Sequence, residues 1–217
     1  MSWLVRMTIP TELAYKQGFF DSYAWHKALW DCFPDQPDKK RNFLTRIDEH
    51  QGYFTVWIVA QSEPVRPEWC PETKYDSKKI APAFLSHQLY SFDLRVNPTR
   101  ALVRHDENGR PVLNLNGKRK SSKRIPIVKE EELQIWLERK ASSGGFRISD
   151  AYPLEIERMT EDYFSQKRNK AWHGSVRFRG MLEVTDHSLF EKTYYTGIGG
   201  AKGFGFGLLL LVPVNDK

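Results

Sequence analysis

The feature that most constrains this sequence is a glycine-rich segment at residues 197–207, which contains six glycines in eleven positions. Such a segment permits tight turns and a close approach of the backbone to another molecule. Only ten residues follow Gly207, so the helix and strand that complete a dinucleotide-binding fold cannot fit. A Walker-type phosphate loop is excluded as well, because Lys202 precedes Gly203 and a predicted strand rather than a Ser or Thr that opens a helix.

Two other interpretations of this segment stay open. Residues 202–206, Lys-Gly-Phe-Gly-Phe, match the first five positions of the aromatic signature of RNA-recognition-motif domains. In those domains the signature lies on the third strand, whereas here it enters the terminal strand, and Gly207 replaces the usual valine; we regard the match as mostly coincidental. Alternatively, the glycines serve geometry alone and let a terminal strand enter a crowded sheet.

Hydrophobic periodicity predicts a β-α-β-β order in the first half of the chain. Residues 3–9 form a predicted strand, and Asp21 or Ser22 can cap a helix that runs to about residue 33. Two further strands are predicted at residues 41–49 and 53–61, whereas residues 62–83, with four prolines, resist assignment. The helix places one apolar stripe toward the core: Trp25, Ala28, Leu29, Cys32 and Phe33.

The second half repeats a similar order. Predicted strands lie at residues 89–96, 151–159, 175–184 and 206–214, predicted helices at 129–141 and 187–195, and a basic loop at 105–123. Gly144 and Gly145 end the first of these helices. The order predicts an α+β chain of tandem ferredoxin-like (RRM-like) domains, each a β-α-β-β-α-β antiparallel sheet with helices on one face. We place the domains at residues 1–87 and 88–217.

Charge and cysteine content narrow the partners. The net charge of +6 and the pI near 9.2 favour polyanions, and the basic residues are clustered. Residues 118–124 carry five cations in seven positions within the predicted loop, and residues 167–170 carry three near the tip of a predicted hairpin. Two cysteines cannot build a disulfide framework, which predicts a reducing cytoplasm. The longest apolar run, residues 208–212, is far shorter than a membrane span, so no membrane partner is expected.

A histidine on the first helix is the main catalytic candidate. Tyr23 and His26 are three residues apart and share a face, and Trp30 continues that line beside the core stripe. His26 is thus expected at the rim of the buried surface, although such a pair on its own is common in helices without a function. The six histidines show no His-Glu-x-x-His spacing and the cysteines form no Cys-x-x-Cys pair. We therefore predict neither a metal nor a cofactor.

Several segments, taken in order, resemble the CRISPR repeat-processing endoribonucleases of the CasE type. Residues 197–199 and 205–207 repeat the Gly-apolar-Gly pattern of that family's C-terminal loop, with five residues between them. Residues 94–99, 124–130, 136–140 and 178–184 are similar to its strand-ending motif, central helix and late strand, and residues 23–26 stand where its catalytic helix begins. The similar segments extend from about residue 3 to residue 213.

This resemblance implies a metal-independent endoribonuclease in which His26 is the general base or acid and Tyr23 orients or stabilises the reacting groups. The RNA's own 2′-hydroxyl is the nucleophile, and the products are a 2′,3′-cyclic phosphate and a 5′-hydroxyl. Some relatives have a lysine five residues beyond this histidine, where this chain has Asp31. Asp31 cannot supply positive charge, so the third catalytic role stays open, with Lys27 as a candidate electrostatic helper.

The resemblance also implies partners: CRISPR repeat RNA, the mature guide RNA and other Cascade subunits, especially the backbone subunit at the 3′ hairpin end. We predict RNA contacts from the basic clusters and the glycine-rich segment, namely Lys118, Arg119, Lys120, Lys123, Arg124, Lys167, Arg168, Lys170, Gly199, Lys202, Gly203 and Gly205. Two alternatives remain. In the first alternative, the chain is a non-catalytic RNA-binding subunit of the same fold. In the second, it is an RNA-recognition-motif protein that stacks single-stranded bases on Phe204 and Phe206.

Overall fold

The computed structural model describes residues 1–35, 41–103, 106–114, 116–117, 121–166 and 169–214, and it leaves out the side chains of residues 121–123 and 160–173. The first part of the chain forms a four-stranded antiparallel sheet in the order β2-β3-β1-β4. Its elements are β1 (Trp3–Pro10), α1 (Thr11–Lys16), α2 (Ser22–Ala28), β2 (Phe43–His50), β3 (Tyr53–Ala60) and β4 (Tyr75–Lys79). This strand order is that of a ferredoxin-like unit.

Helix α2 begins where the sequence predicts. Asp21 caps it by accepting a hydrogen bond from the backbone N–H of Ala24 at 2.7 Å. A 3₁₀ turn, Leu29–Cys32, continues the helix to the predicted end. The predicted apolar stripe is confirmed, because all five of its residues are buried against the first sheet: Trp25, Ala28, Leu29, Cys32 and Phe33.

The second helix of the first unit is replaced by an extended segment. Only a short 3₁₀ turn, Glu72–Lys74, lies between β3 and β4. The prolines at positions 64, 67 and 71 explain this difference, since each lacks the N–H that a helix interior requires. Helix α1, which the sequence analysis did not predict, follows Pro10 and spans six residues, too few for a clear apolar period.

The rest of the chain builds a second antiparallel sheet in the order β11-β5-β10-β8, with β9 paired to β10. Strands β6 and β7 form a separate hairpin. The elements of this part of the chain, in order, are β5 (Leu89–Val96), β6 (Thr99–Val103), β7 (Ser121–Pro126), α3 (Glu130–Ser143), β8 (Phe146–Ile148), β9 (Glu155–Gln166), β10 (Asn169–Val184), α4 (His187–Thr196) and β11 (Leu209–Pro213). The tandem ferredoxin-like arrangement is therefore confirmed.

Element boundaries agree with the sequence where the apolar period is strong. Strand β5 has its predicted bounds, and α3 ends at the predicted Gly144. Other predictions differ: the strands predicted at residues 151–159 and 175–184 span Glu155–Gln166 and Asn169–Val184. Residues 121–123, predicted as loop, belong to β7, whose polar sequence lacks the usual apolar alternation. The last strand starts at Leu209 rather than at residue 206, because the glycine-rich segment folds as a separate loop.

A shared core joins the two sheets. Leu44 and Val59 of the first sheet belong to the same buried cluster as Phe92, Leu133 and Phe190 of the second part. A second cluster packs α2 against the opposite face of the first sheet. The predicted division between residues 87 and 88 falls between the two sheets and stays a prediction. Both cysteines are free and buried, and no helix within the described ranges is long and apolar enough to cross a bilayer.

Candidate active site

The two Gly-apolar-Gly repeats, residues 197–199 and 205–207, are hydrogen-bonded to each other and close the base of the glycine-rich loop. We call this closed base the neck. The N–H of Ile198 donates to the carbonyl of Gly207 at 2.9 Å, and the N–H of Gly207 donates to the carbonyl of Arg95 on β5 at 2.8 Å. Ile198 and Phe206, the apolar residues of the two repeats, are both buried. The repeats thus anchor the loop in the core, and the five residues between them are held out toward helix α2.

Gly207 is a position in this neck where only glycine fits. Its φ of +85° is left-handed, and a Cβ there would lie 2.4 Å from the carbonyl oxygen of Ile198. We expect Gly207→Ala to lower the free energy of unfolding in urea by about 2–4 kcal/mol, since the conformation alone costs about 1–2 kcal/mol and the overlap adds to it. Gly200→Ala is the matched control, because a Cβ there meets no atom within 4 Å; it should change stability by less than about 0.5 kcal/mol.

The loop brings its middle residues to His26. The His26 ring is half-buried on α2 and forms a hydrogen bond with the backbone of Gly203. Its centroid lies 6.0 Å from that of Phe204. A Cβ on Gly203 would be 3.8 Å from His26 Cε1 and 3.3 Å from Arg41 Nη1, so the imidazole and the guanidinium flank the same glycine. The expected position of His26 at the rim of the core is confirmed.

Positive groups crowd this histidine. Burial lowers the pKa of His26, the Arg41 charge lowers it further, and the Gly203 hydrogen bond partly opposes both effects. Burial also lowers the pKa values of Arg41 and Lys202, and Lys202 feels the charges of Arg41 and Lys140 as well. A bound anion would relieve this repulsion. The arrangement therefore favours a phosphate group beside the imidazole.

The other predicted loop residues have structural contacts of their own. Lys202 Nζ donates to the carbonyl of Thr196 at the end of α4, at 2.7 Å. A Cβ on Gly199 would touch the ring of Trp136 at 3.4 Å, and one on Gly205 would lie 3.8 Å from the backbone nitrogen of Ile47. Of the four predicted loop residues, Gly203 is thus the one at the His26 ring, and the RNA contacts of all four stay predictions.

Tyr23 and Lys27 contact each other on α2. The Lys27 ammonium lies 5.2 Å from the centroid of the Tyr23 ring, in a cation–π contact. Tyr23 is half-buried and Lys27 is exposed. Both are on the helix that carries His26, and their catalytic roles stay predictions.

Arg41 is the functional candidate that the sequence analysis missed. Asp31 accepts a hydrogen bond from Trp69 Nε1 at 3.1 Å. The cation beside His26 is Arg41, two residues before the start of β2. Its only signal in the sequence is that it ends the basic run Lys39-Lys40-Arg41, because the contact with His26 depends on how β2 and α2 pack.

Most residues of the two basic clusters, 118–124 and 167–170, lie outside the described residues or have no described side chain. Strands β9 and β10 pair Gln166 with Asn169, which is consistent with the predicted hairpin. Arg124 lies on β7 and its Nε donates to Thr99 Oγ1 at 2.8 Å. Lys123 and Lys170 lie on described strands without described side chains, and five predicted contacts lie outside the described residues: Lys118, Arg119, Lys120, Lys167 and Arg168.

The RNA-recognition-motif interpretation of residues 202–206 is not supported. Lys202–Phe204 forms a 3₁₀ turn instead of a strand. Phe206 is fully buried, and the Arg95 guanidinium lies over its ring at 5.2 Å. Base stacking needs an exposed ring face, so Phe206 cannot provide the second platform.

A buried ion network links the two sheets close to the loop. Arg46 on β2 is fully buried, and its Nε donates to both oxygens of Asp48 at 2.9 Å. Its Nη1 donates to Asp93 Oδ1 on β5 at 2.8 Å, and Arg177 Nε on β10 donates to the same oxygen at 2.9 Å. Charges of opposite sign alternate at Arg46 and Asp48 on β2 and at Asp93 and Arg95 on β5, but this pattern does not predict which charges pair between the sheets.

Within the described part of the chain, no group of three or more His, Cys, Asp or Glu side chains is placed to hold a metal ion. Of the six histidines, His26 lies in the site just described, whereas His50 stacks on Tyr53 at 4.6 Å and His187 contacts the carbonyl of Leu85 at 3.3 Å.

Comparison with known proteins agrees with this fold. Residues 2–213 match the sequence model of a family described as CRISPR associated protein. CasE, a subunit of the CRISPR system Cascade in Escherichia coli K12, is 29% identical over 194 residues, which cover 89% of this chain and 93% of CasE. The endoribonuclease Cse3 of Thermus thermophilus is 24% identical over 227 residues, covering 97% of this chain and all of Cse3.

Solved structures show the same fold. The T. thermophilus Cse3 structure with an RNA that represents a pre-cleavage complex superposes with a TM-score of 0.73 and 23% identity, covering 98% of this chain and 99% of that one. Cas6e from E. coli K-12 superposes with a TM-score of 0.69 and 24% identity, over 99% of this chain and all of that one. With the family model matching nearly the whole chain, the chain belongs to the CRISPR-associated protein family.

Proposed function

We propose that this chain is a metal-independent endoribonuclease that cuts precursor CRISPR RNA at the 3′ base of a repeat stem-loop. The observation that carries the proposal is the half-buried imidazole of His26, held beside Arg41 and the glycine-rich loop. Relatives support the substrate class, since one is named an endoribonuclease and has been solved with RNA, and another is named a Cascade subunit.

The chemistry needs no nucleophile from the protein. The 2′-oxygen of the nucleotide before the cleaved bond attacks the neighbouring phosphorus, a bond from phosphorus to the 2′-oxygen forms, and the bond to the 5′-oxygen breaks. His26 takes the proton of the 2′-hydroxyl or gives one to the 5′-oxygen, since imidazole titrates near neutral pH. The products are a 2′,3′-cyclic phosphate and a 5′-hydroxyl.

Charge develops on the phosphate oxygens during this reaction and requires stabilisation. Arg41 takes this third role in our proposal, because it lies at the His26 site whereas Asp31 is bonded to Trp69. Lys27 is the second candidate, and Tyr23 orients or stabilises the reacting groups. Arg41 presents a fork of N–H donors that matches two phosphate oxygens.

The product stays bound in this proposal, and the chain acts as a Cascade subunit next to the backbone subunit at the 3′ hairpin end. The basic residues of the β6–β7 and β9–β10 hairpins grip the stem through phosphates, which gives affinity without sequence information. Two units, residues 1–87 with the catalytic helix and residues 88–217 with the hairpins and the loop, form the two sides of the RNA site.

Cleavage of repeat RNA in excess EDTA tests the reaction type. We expect the rate to stay within about twofold of the rate without EDTA, since no metal-bound water is required. An otherwise identical RNA with a 2′-deoxy nucleotide before the cleaved bond should bind with unchanged affinity and stay intact. Metal-dependent cleavage, or normal cutting of the deoxy substrate, would contradict the mechanism.

A further inference from the structure

A second feature adjoins the site: an aromatic cleft of about 350 Å³ between helices α1 and α2 and strand β9. A pocket of this size is in the range that holds small organic ligands, roughly 300–1,000 Å³. Phe204 joins the cleft to the catalytic site, because it lines the cleft and lies 6.0 Å from His26 between ring centroids. The aromatic side chains that line the cleft are Tyr15, Phe19, Phe20, Trp25, Phe54 and Phe204.

The cleft has a rigid floor and an exposed rim. On the floor, Trp25 packs against Phe19 and Phe54 with ring centroids 4.7 and 5.4 Å apart, and all three are buried. At the rim, Tyr15 and Phe20 stack at 5.8 Å and are 47% and 74% exposed. A phenylalanine this exposed beside a cleft is typical of a binding surface.

The polar groups of the cleft favour a base over a phosphate. Glu49, exposed at the end of β2, and Asp21 both line it, and a carboxylate repels an anion but accepts hydrogen bonds from amino groups. Among the described residues of the lining the one cation is Arg95, which already donates to the carbonyl of Ile47 at 2.7 Å and to Ser175 Oγ at 3.0 Å. Aromatic faces with hydrogen-bond acceptors at the edge suit an unstacked nucleobase.

We propose that this cleft holds an unpaired nucleobase with an exocyclic amino group, from a nucleotide next to the cleaved bond. The inference rests on the proposed function, which brings the RNA to His26, and it adds a specificity subsite to it. The base stacks on Phe20 and Tyr15, and its amino group faces Glu49. An apolar anchor from a protein partner is the competing occupant, but the connection through Phe204 to the catalytic site favours the RNA.

Binding of fluorescent repeat RNA tests this without cleavage. The full-length chain is mixed with 2′-deoxy-blocked RNAs that carry 2-aminopurine at each nucleotide flanking the cleaved bond in turn. We expect quenching at one position, lost in Phe20→Ala and reduced in Glu49→Gln. Tyr152→Ala is the matched control, because Tyr152 is 52% exposed and lies away from the cleft; it should quench like the parent chain.

Affinity gives a second readout. An abasic nucleotide at the quenched position should weaken binding to the parent chain roughly five- to tenfold, the effect of losing one partly exposed stack, and should not weaken binding to Phe20→Ala further. Equal abasic penalties in both chains, or quenching that ignores Phe20 at every position, would overturn the inference. So would a Phe20→Ala chain that binds RNA normally but no longer joins the other Cascade proteins, because the cleft would then be a protein-docking site.

These outcomes are separable from failure of the proposed function. A parent chain that cleaves repeat RNA without any Phe20-dependent signal removes the subsite alone. A chain that shows the Phe20-dependent signal but never cleaves removes the enzyme and keeps the base-binding site. Absence of any binding to repeat RNA counts against both.

Discussion

The His26→Ala variant is expected to cleave repeat RNA about 10²- to 10⁴-fold more slowly than the parent chain, the usual contribution of a general acid or base. Its affinity for the same RNA should change little, because the predicted phosphate contacts lie on other residues. Single-turnover cleavage and a binding titration on the same RNA measure the two quantities. His50→Ala is the matched control, since His50 is exposed at the last residue of β2 and stacks on Tyr53.

Equal cleavage by both variants would show that His26 is not the catalyst. Cleavage that is undetectable in the parent chain itself, with RNA binding intact, would favour the non-catalytic RNA-binding subunit. These results separate the two functions that the sequence left open.

The pH profile adds a signature that a merely structural histidine would not produce. The pKa of His26 is lowered from 6.5 by burial and then by the charge of Arg41. As a base, His26 must be unprotonated, so activity falls only when the pH drops below 6.5. As an acid, His26 must be protonated, so activity already falls as the pH rises toward 6.5. In either case Arg41→Gln removes the charge that lowers the pKa of His26, so the pKa rises and this limb of the kcat/KM profile should move to higher pH. An unmoved limb would argue against the pairing of the two residues.

The largest expected loss of stability comes from Arg46→Met. Arg46 is fully buried and pairs with Asp48 and Asp93, so its removal leaves the Asp48 carboxylate without this guanidinium and Asp93 with Arg177 as its main partner inside the protein. Breaking a buried pair in this way costs about 3–5 kcal/mol, which urea unfolding can measure. Arg147→Met is the matched control: its ion pair with Glu183 is exposed and should contribute less than about 1 kcal/mol. Similar losses in the two variants would contradict the role of the network.

Acid should weaken the same network. Burial acts to raise the pKa of Asp93, but hydrogen bonds and charge from Arg177 and Arg46 outweigh it, so the pKa lies below its ordinary value of 3.8. The folded state therefore gains stability from ionised Asp93 above that pH and loses it as the pH falls through the lowered pKa. In Arg46→Met the pKa is depressed less, so the unfolding free energy should depend less on pH in this acidic range.

Local patterns were sufficient for the elements with a strong period. The apolar stripe of α2, the alternation in β5 and the glycine at the end of α3 all depend on residues within a few positions of one another, so the sequence predicted them. Helix α1 and the β6–β7 hairpin were missed because they are short or polar. The second helix of the first unit was expected by symmetry, but its prolines cannot donate the hydrogen bonds that a helix needs.

By itself, the sequence determined the strands and helices with a strong apolar period, the position of His26 at the rim of its helix and the spacing of the two glycine repeats. Only the tertiary structure decided that Arg41 is the cation at His26, that Arg46 joins the sheets through Asp93, and that aromatic side chains from α1, α2, β3 and the glycine-rich loop line one cleft. Residues 46 and 93 are 47 positions apart, and Gly203 is far from residue 26 along the chain. Contacts over such distances depend on how β2 packs against the second sheet and its loop, and that packing energy is absent from any local pattern.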